Sequence, residues 1–84
     1  MKATLVIENA GGLPPGTNIY AIDRHLYGFD HLAVCAHQAY NQSFIVGCTA
    51  EGRVETEHMM GIYHSEYVPH ATALAACGYE EVGP

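Results

Sequence analysis

Over much of its N-terminal half the chain alternates apolar and polar residues with a period of two, the pattern of strands buried on one side. Thr4-Leu5-Val6-Ile7-Glu8 is rich in β-branched residues and reads as a first strand. Asn9 to Gly16 then interrupts it. Pro15-Gly16 suits the central pair of a type II turn, because proline restricts φ and glycine tolerates a positive one. Asn18 to Arg24 resumes a strand, with Ile19, Ala21 and Asp23 on one side and Tyr20, Ile22 and Arg24 on the other. Tyr27-Gly28-Phe29-Asp30 reads as a connection, His31 to Ala39 as a third strand and Phe44 to Ala50 as a fourth. Tyr40-Asn41-Gln42-Ser43 links the last two as a hairpin.

Two registers compete for that hairpin. A two-residue Asn41-Gln42 turn sets Cys35 opposite Cys48. A loop one residue longer puts Leu32, Val34 and Ala36 beside Phe44, Val46 and Cys48, with Ala33, Cys35 and His37 sharing the other face with Ile45, Gly47 and Thr49. The longer loop gathers the bulky apolar groups and is the expected one, since a slip of one residue reverses every side chain. Its other face is also fairly apolar, so a cover is expected there too.

The period changes after Glu51-Gly52, which reads as a turn. Arg53 to Tyr63 fits a short strand or irregular loop better than a helix. Pro69 suits the first turn of a helix, where its missing N–H costs nothing. Ala71 to Cys77 is dominated by strong helix formers, and Gly78 stands where a helix ends. Ala73, Leu74 and Cys77 make a narrow apolar stripe. Tyr79 to Val82 returns as an edge strand. The expected fold is a single α+β domain over residues 1–84: a small, mostly antiparallel sheet of four to five strands with one C-terminal helix packed on one face. One helix leaves the second face bare, so a homo-oligomer is expected, supplying the core that so short a chain lacks.

Charge narrows the partners. Three basic residues, Lys2, Arg24 and Arg53, stand against nine acidic ones, for a net charge of −6 at pH 7. Nucleic acids and anionic membrane surfaces are bound by clustered Lys and Arg, so neither is expected as a partner. No run of apolar residues is long enough to span a bilayer. The apolar run Ala3 to Ile7 is too brief for a secretory leader, and three cysteines is an odd count, so reduced thiols in a cytosol are expected. Six histidines match the net charge in number, so protonating them carries the protein through neutrality.

Candidate chemistry is sparse. Cys35, His37 and Cys48 form the best metal set, because ligands at i and i+2 face the same way, yet the usual spacings of zinc ligands do not occur. The same Cys and His types permit a nucleophile, but so small a domain leaves little room for a cleft and no catalytic motif is present. No enzyme activity, cofactor or bound metal is therefore expected. Composition points elsewhere. Six tyrosines and three methionines accompany one lysine, the bias of a protein-binding surface. His58, Met59, Met60, Ile62, Tyr63, His64 and Tyr67 concentrate these types ahead of the helix and are the candidate binding residues.

The segment His70-Ala71-Thr72-Ala73-Leu74-Ala75-Ala76-Cys77-Gly78-Tyr79-Glu80-Glu81-Val82, with Gly28 to Ala36 upstream, resembles small uncharacterised actinobacteriophage accessory proteins. These end in a His, an Ala-Leu pair and a Gly-Tyr-Glu-Val-like close. The resemblance implies a phage accessory protein in the host cytoplasm, and no mechanism. The functional expectation is binding to a host or defence protein without catalysis. A small virion or decoration subunit is the alternative, and a His/Cys metal-binding module stands behind it.

Overall fold

The computed structural model describes residues 1–54 and 61–83. Strands β1 (Lys2–Ile7), β2 (Thr17–Leu26), β3 (Phe29–His37), β4 (Gln42–Cys48), β5 (Tyr63–Ser65) and β6 (Glu80–Val82) form one sheet, and helix α1 (His70–Ala76) packs on it. The strand order is β5-β4-β3-β2-β1-β6. The fold is α+β as expected, but the sheet has six strands and is mixed, because β6 runs parallel to β1. The edge strand expected over Tyr79 to Val82 forms as β6, and β5 is the short strand ahead of the helix; both have three residues, too few for periodicity to reveal how they pair.

The turns set the registers. Tyr27 and Gly28 both have positive φ, 51° and 82°, and Leu26 pairs with Phe29, so β2 and β3 join through a two-residue turn of the primed type. The four-residue connection read over Tyr27–Asp30 is shortened accordingly. Between β3 and β4, Gln38–Tyr40 makes one turn of 3-10 helix, closed by Asn41 at φ 49°. The loop therefore has four residues, and His37 pairs with Gln42, Cys35 with Phe44, Ala33 with Val46 and His31 with Cys48. Both registers weighed from the sequence are thus corrected. Cys35 does not face Cys48, and Leu32 and Val34 share their side with Ile45 instead of Phe44, Val46 and Cys48. The 3-10 turn, capped by the His37 imidazole accepting from the Tyr40 N–H at 3.4 Å, is what lengthens the loop.

The helix-side core joins Ala3, Tyr20, Ile22, Leu32, Val34 and Ile45 to Ala73, Leu74 and Tyr79. The helix ends as its Gly78 dictates. Gly78, at φ 87°, donates to the Ala75 carbonyl at 3.0 Å, and Tyr79 donates to that of Leu74 at 3.0 Å. Ser43, fully buried, fixes the approach to the helix by donating to the Val68 carbonyl at 2.8 Å and accepting from the Val68 N–H at 2.9 Å.

The opposite face is not bare. Ala10, Ile19, Ala33, Val46 and Cys48 are buried there, with Ile7, Leu13, Phe44 and Val54 around them. The loop after β1 folds over this face. Ala10 donates to the Thr17 carbonyl at 2.8 Å, and Thr17 to that of Pro14 at 3.2 Å, across the Pro15-Gly16 turn. Only glycine fits at Gly16: its φ is 85°, and a Cβ would lie 2.5 Å from the Ala36 carbonyl oxygen. The apolar character of the Ala33 and Cys35 face hinted at such a cover, but the loop that supplies it carries no periodic signal to name it.

Candidate binding surface

Of the residues singled out from the sequence, His58, Met59 and Met60 lie outside the described residues. The structure separates the others. Ile62 and Tyr63 are half-buried and pack against the helix-side core, and the Ile62 N–H donates to the Ile45 carbonyl at 2.8 Å. Strand alternation then turns His64 to the other side of the sheet, opposite Phe44 and exposed. Tyr67 is half-buried, and its N–H donates to the Asn41 side-chain oxygen at 3.2 Å, tying the segment to the β3–β4 loop.

At this end of the sheet His64 meets residues that the sequence reading left aside. Its Nε2 lies 3.1 Å from the Gln42 side-chain nitrogen, an arrangement in which the amide donates and the imidazole accepts. Gln42 stands directly across from His37. The His37 ring lies 4.5 Å from that of Tyr40, tilted by 37°, and Tyr40 is 77% exposed. His37, Tyr40, Gln42 and His64 thus make one row drawn from β3, its following turn, β4 and β5. A tyrosine in a short hairpin loop is the signal that could have found them, since such loops lie at the surface.

The cysteine-containing sets are built differently. Cys35 is buried and its Sγ points to the Pro15 carbonyl at 3.8 Å, while His37 uses Nδ1 on the Tyr40 N–H. Cys48 shares their face but lies four residues along from the Cys35 pairing position. Among the described residues no three His, Cys, Asp or Glu side chains converge as a metal set. Cys48 faces His31, whose Nδ1 is 2.8 Å from Asp30 Oδ1. The partnership with His31 holds the exposed Asp30 carboxyl below the usual carboxylate range. Burial, with a smaller contribution from the Asp30 charge, pushes the Cys48 thiol up to about 11, so it stays protonated at neutral pH.

No helix among the described residues is long and apolar enough to cross a membrane. No protein-family model, curated protein or solved structure matches the chain at a significant level.

Proposed function

We propose that the protein is a non-catalytic phage accessory protein that binds a host or defence protein in the host cytoplasm, through the row His37, Tyr40, Gln42 and His64. The observation that carries this reading is Tyr40, 77% exposed yet held against His37 in a capped turn. A large aromatic already ordered in the free protein loses little conformational entropy on contact, which is the property of an interface anchor. Imidazole and amide groups beside it supply hydrogen-bond donors and acceptors. Ile62 and Tyr63 support this row from the core side and are not themselves the contact.

The test is capture from host lysate with the intact chain as bait, alongside the Tyr40→Ala/His64→Ala double variant. A stoichiometric partner retained by the first and lost by the folded second supports the reading. Equal capture by both, or recovery of the protein only inside purified particles, overturns it.

A further inference from the structure

At the opposite margin of the sheet, the geometry points to the β6 edge as a docking site for an extended, basic peptide segment that adds a seventh strand. This inference is independent of the row around Tyr40, which is drawn from β3, β4 and β5, toward the other end of the strand order. Three observations carry it.

The first is an open ladder. β6 pairs with β1 in parallel, Lys2 with Glu80 and Thr4 with Val82, and the Glu80 N–H donates to the Met1 carbonyl at 2.7 Å. Successive residues of a strand turn their backbone groups to opposite sides, so Glu81 directs its N–H and C=O away from β1. Among the described residues no strand lies beyond β6. An unpaired edge of this kind is a template for an added strand.

The second is room beside the edge. An open depression of about 470 Å³ lies between α1 and β6, lined by Met1, Ala71, Ala75 and Gly78 together with the glutamates Glu80 and Glu81. The small side chains Ala71 and Ala75 of α1 leave space there for side chains of an added strand, with the Glu81 carboxylate beside it.

The third is charge. Glu80 and Glu81 are exposed, and among the described residues neither forms an ion pair. Glu81 shares the helix side with Ala3, whereas Glu80 stands on the other side with Lys2. A second copy of this chain would bring its own Glu80 and Glu81 to the same edge, and like charges across a ladder repel. A segment that alternates apolar and basic residues fits instead, with its apolar groups over Ala71 and Ala75 and its cations beside Glu80.

The probe is the synthetic peptide acetyl-Lys-Val-Arg-Val-Lys-amide, titrated into the full ¹⁵N-labelled chain and followed by amide chemical shifts. Shifts confined to Ala71, Ala75 and Glu80 to Gly83, with slowed hydrogen exchange at the Glu81 amide, are expected. Affinity should fall roughly tenfold in Glu80→Arg, a substitution at an exposed position that leaves Glu81 in place, and should weaken with added salt. A peptide N-methylated along its backbone should not bind, because it cannot complete the ladder. Equal binding by the N-methylated peptide or by acetyl-Glu-Val-Glu-Val-Glu-amide overturns the inference. So does the absence of shifts at β6, or shifts confined to His37, Tyr40 and His64.

Discussion

The hydroxyl of Tyr20, in the second strand, donates to the Glu81 carboxylate of the last, across 61 positions of sequence. Tyr20 is itself fully buried, and Asn18 donates to its oxygen at 3.4 Å. Together with the Tyr79 hydroxyl, which donates to the Arg24 carbonyl at 2.6 Å, this bond fastens the short parallel edge strand to the body of the sheet. Tyr20→Phe should cost about 1.5 kcal/mol, at the low end for a bond to a charged group because the exposed Glu81 stays hydrated. Urea denaturation measures the loss, and faster amide exchange confined to Glu80–Val82 would place it at β6.

The same buried groups make the fold sensitive to alkali. Burial is the chief cause holding Tyr20 well above its ordinary value of 10.0, with the Glu81 contacts adding to it and the Asn18 bond opposing it. Cys48 is raised from 9.0 to about 11. Both are neutral when protonated, so their contribution is complete below the unfolded-state value and is lost as pH rises through the folded one. Stability should therefore decline from pH 9 to about 11 as Cys48 loses its advantage, and Tyr20 should add to the decline above pH 10. The slope per group is at most about 1.4 kcal/mol per pH unit. In Cys48→Ala, denaturation midpoints should fall less steeply between pH 9 and about 10, the remaining decline coming from Cys77, whose thiol burial also raises, before tyrosine begins to titrate in the unfolded chain.

Ser43 satisfies both backbone groups of Val68 from a fully buried position. Ser43→Ala removes both partners at once and should cost about 1–3 kcal/mol, the penalty of leaving backbone polar groups unsatisfied. Thermal unfolding of the variant provides the check, and an unchanged midpoint would show that water replaces the hydroxyl.

A Cβ at Gly47 would run into the Phe29 ring. Gly47→Ala should destabilise the protein by about 1–3 kcal/mol, as overpacking does. The double variant Phe29→Ala/Gly47→Ala should then be more stable than the sum of the two single effects implies. Additivity in that cycle would remove the ring as the cause.

Tyr63 and Tyr40 should behave oppositely. Tyr63 packs on the core, so Tyr63→Ala should lower stability by about 1–3 kcal/mol, less than for a fully buried aromatic. Tyr40 is 77% exposed, so Tyr40→Ala should change stability by less than about 0.5 kcal/mol. Paired denaturation curves separate the two roles before any partner is sought.

Six histidines against a net charge of −6 predict low solubility near pH 5, where the molecule approaches neutrality. Turbidity recorded from roughly pH 8 down to 4.5 should rise through that region. A clear solution throughout would mean that neutral molecules do not associate.

Alternation along β2, the Pro15-Gly16 turn and the Pro69-to-Gly78 helix were legible in the chain because each is governed by neighbours a few residues apart. The return of Tyr79 to Val82 at a sheet edge was legible for the same reason. Pairing was not. The β3–β4 register turned on whether residues 38–41 would form a capped 3-10 turn, a choice made by the His37 imidazole and by Asn41 in the left-handed region. The parallel placement of β6 beside β1 and the Tyr20–Glu81 bond join residues 61 or more apart, and no local pattern encodes such contacts. The candidate surface divided along the same line. Composition marked residues 58–67 as unusual, but only strand alternation and packing sent Ile62 and Tyr63 inward and brought His64 across to Gln42, next to His37 and Tyr40. Sequence alone marked the long strands and the helix, because short-range sterics and hydrophobic periodicity decide those, although β3, read to Ala39, ends at His37 where the 3-10 turn begins. The tertiary structure decided which of them meet, because register, edge placement and burial are properties of long-range contacts.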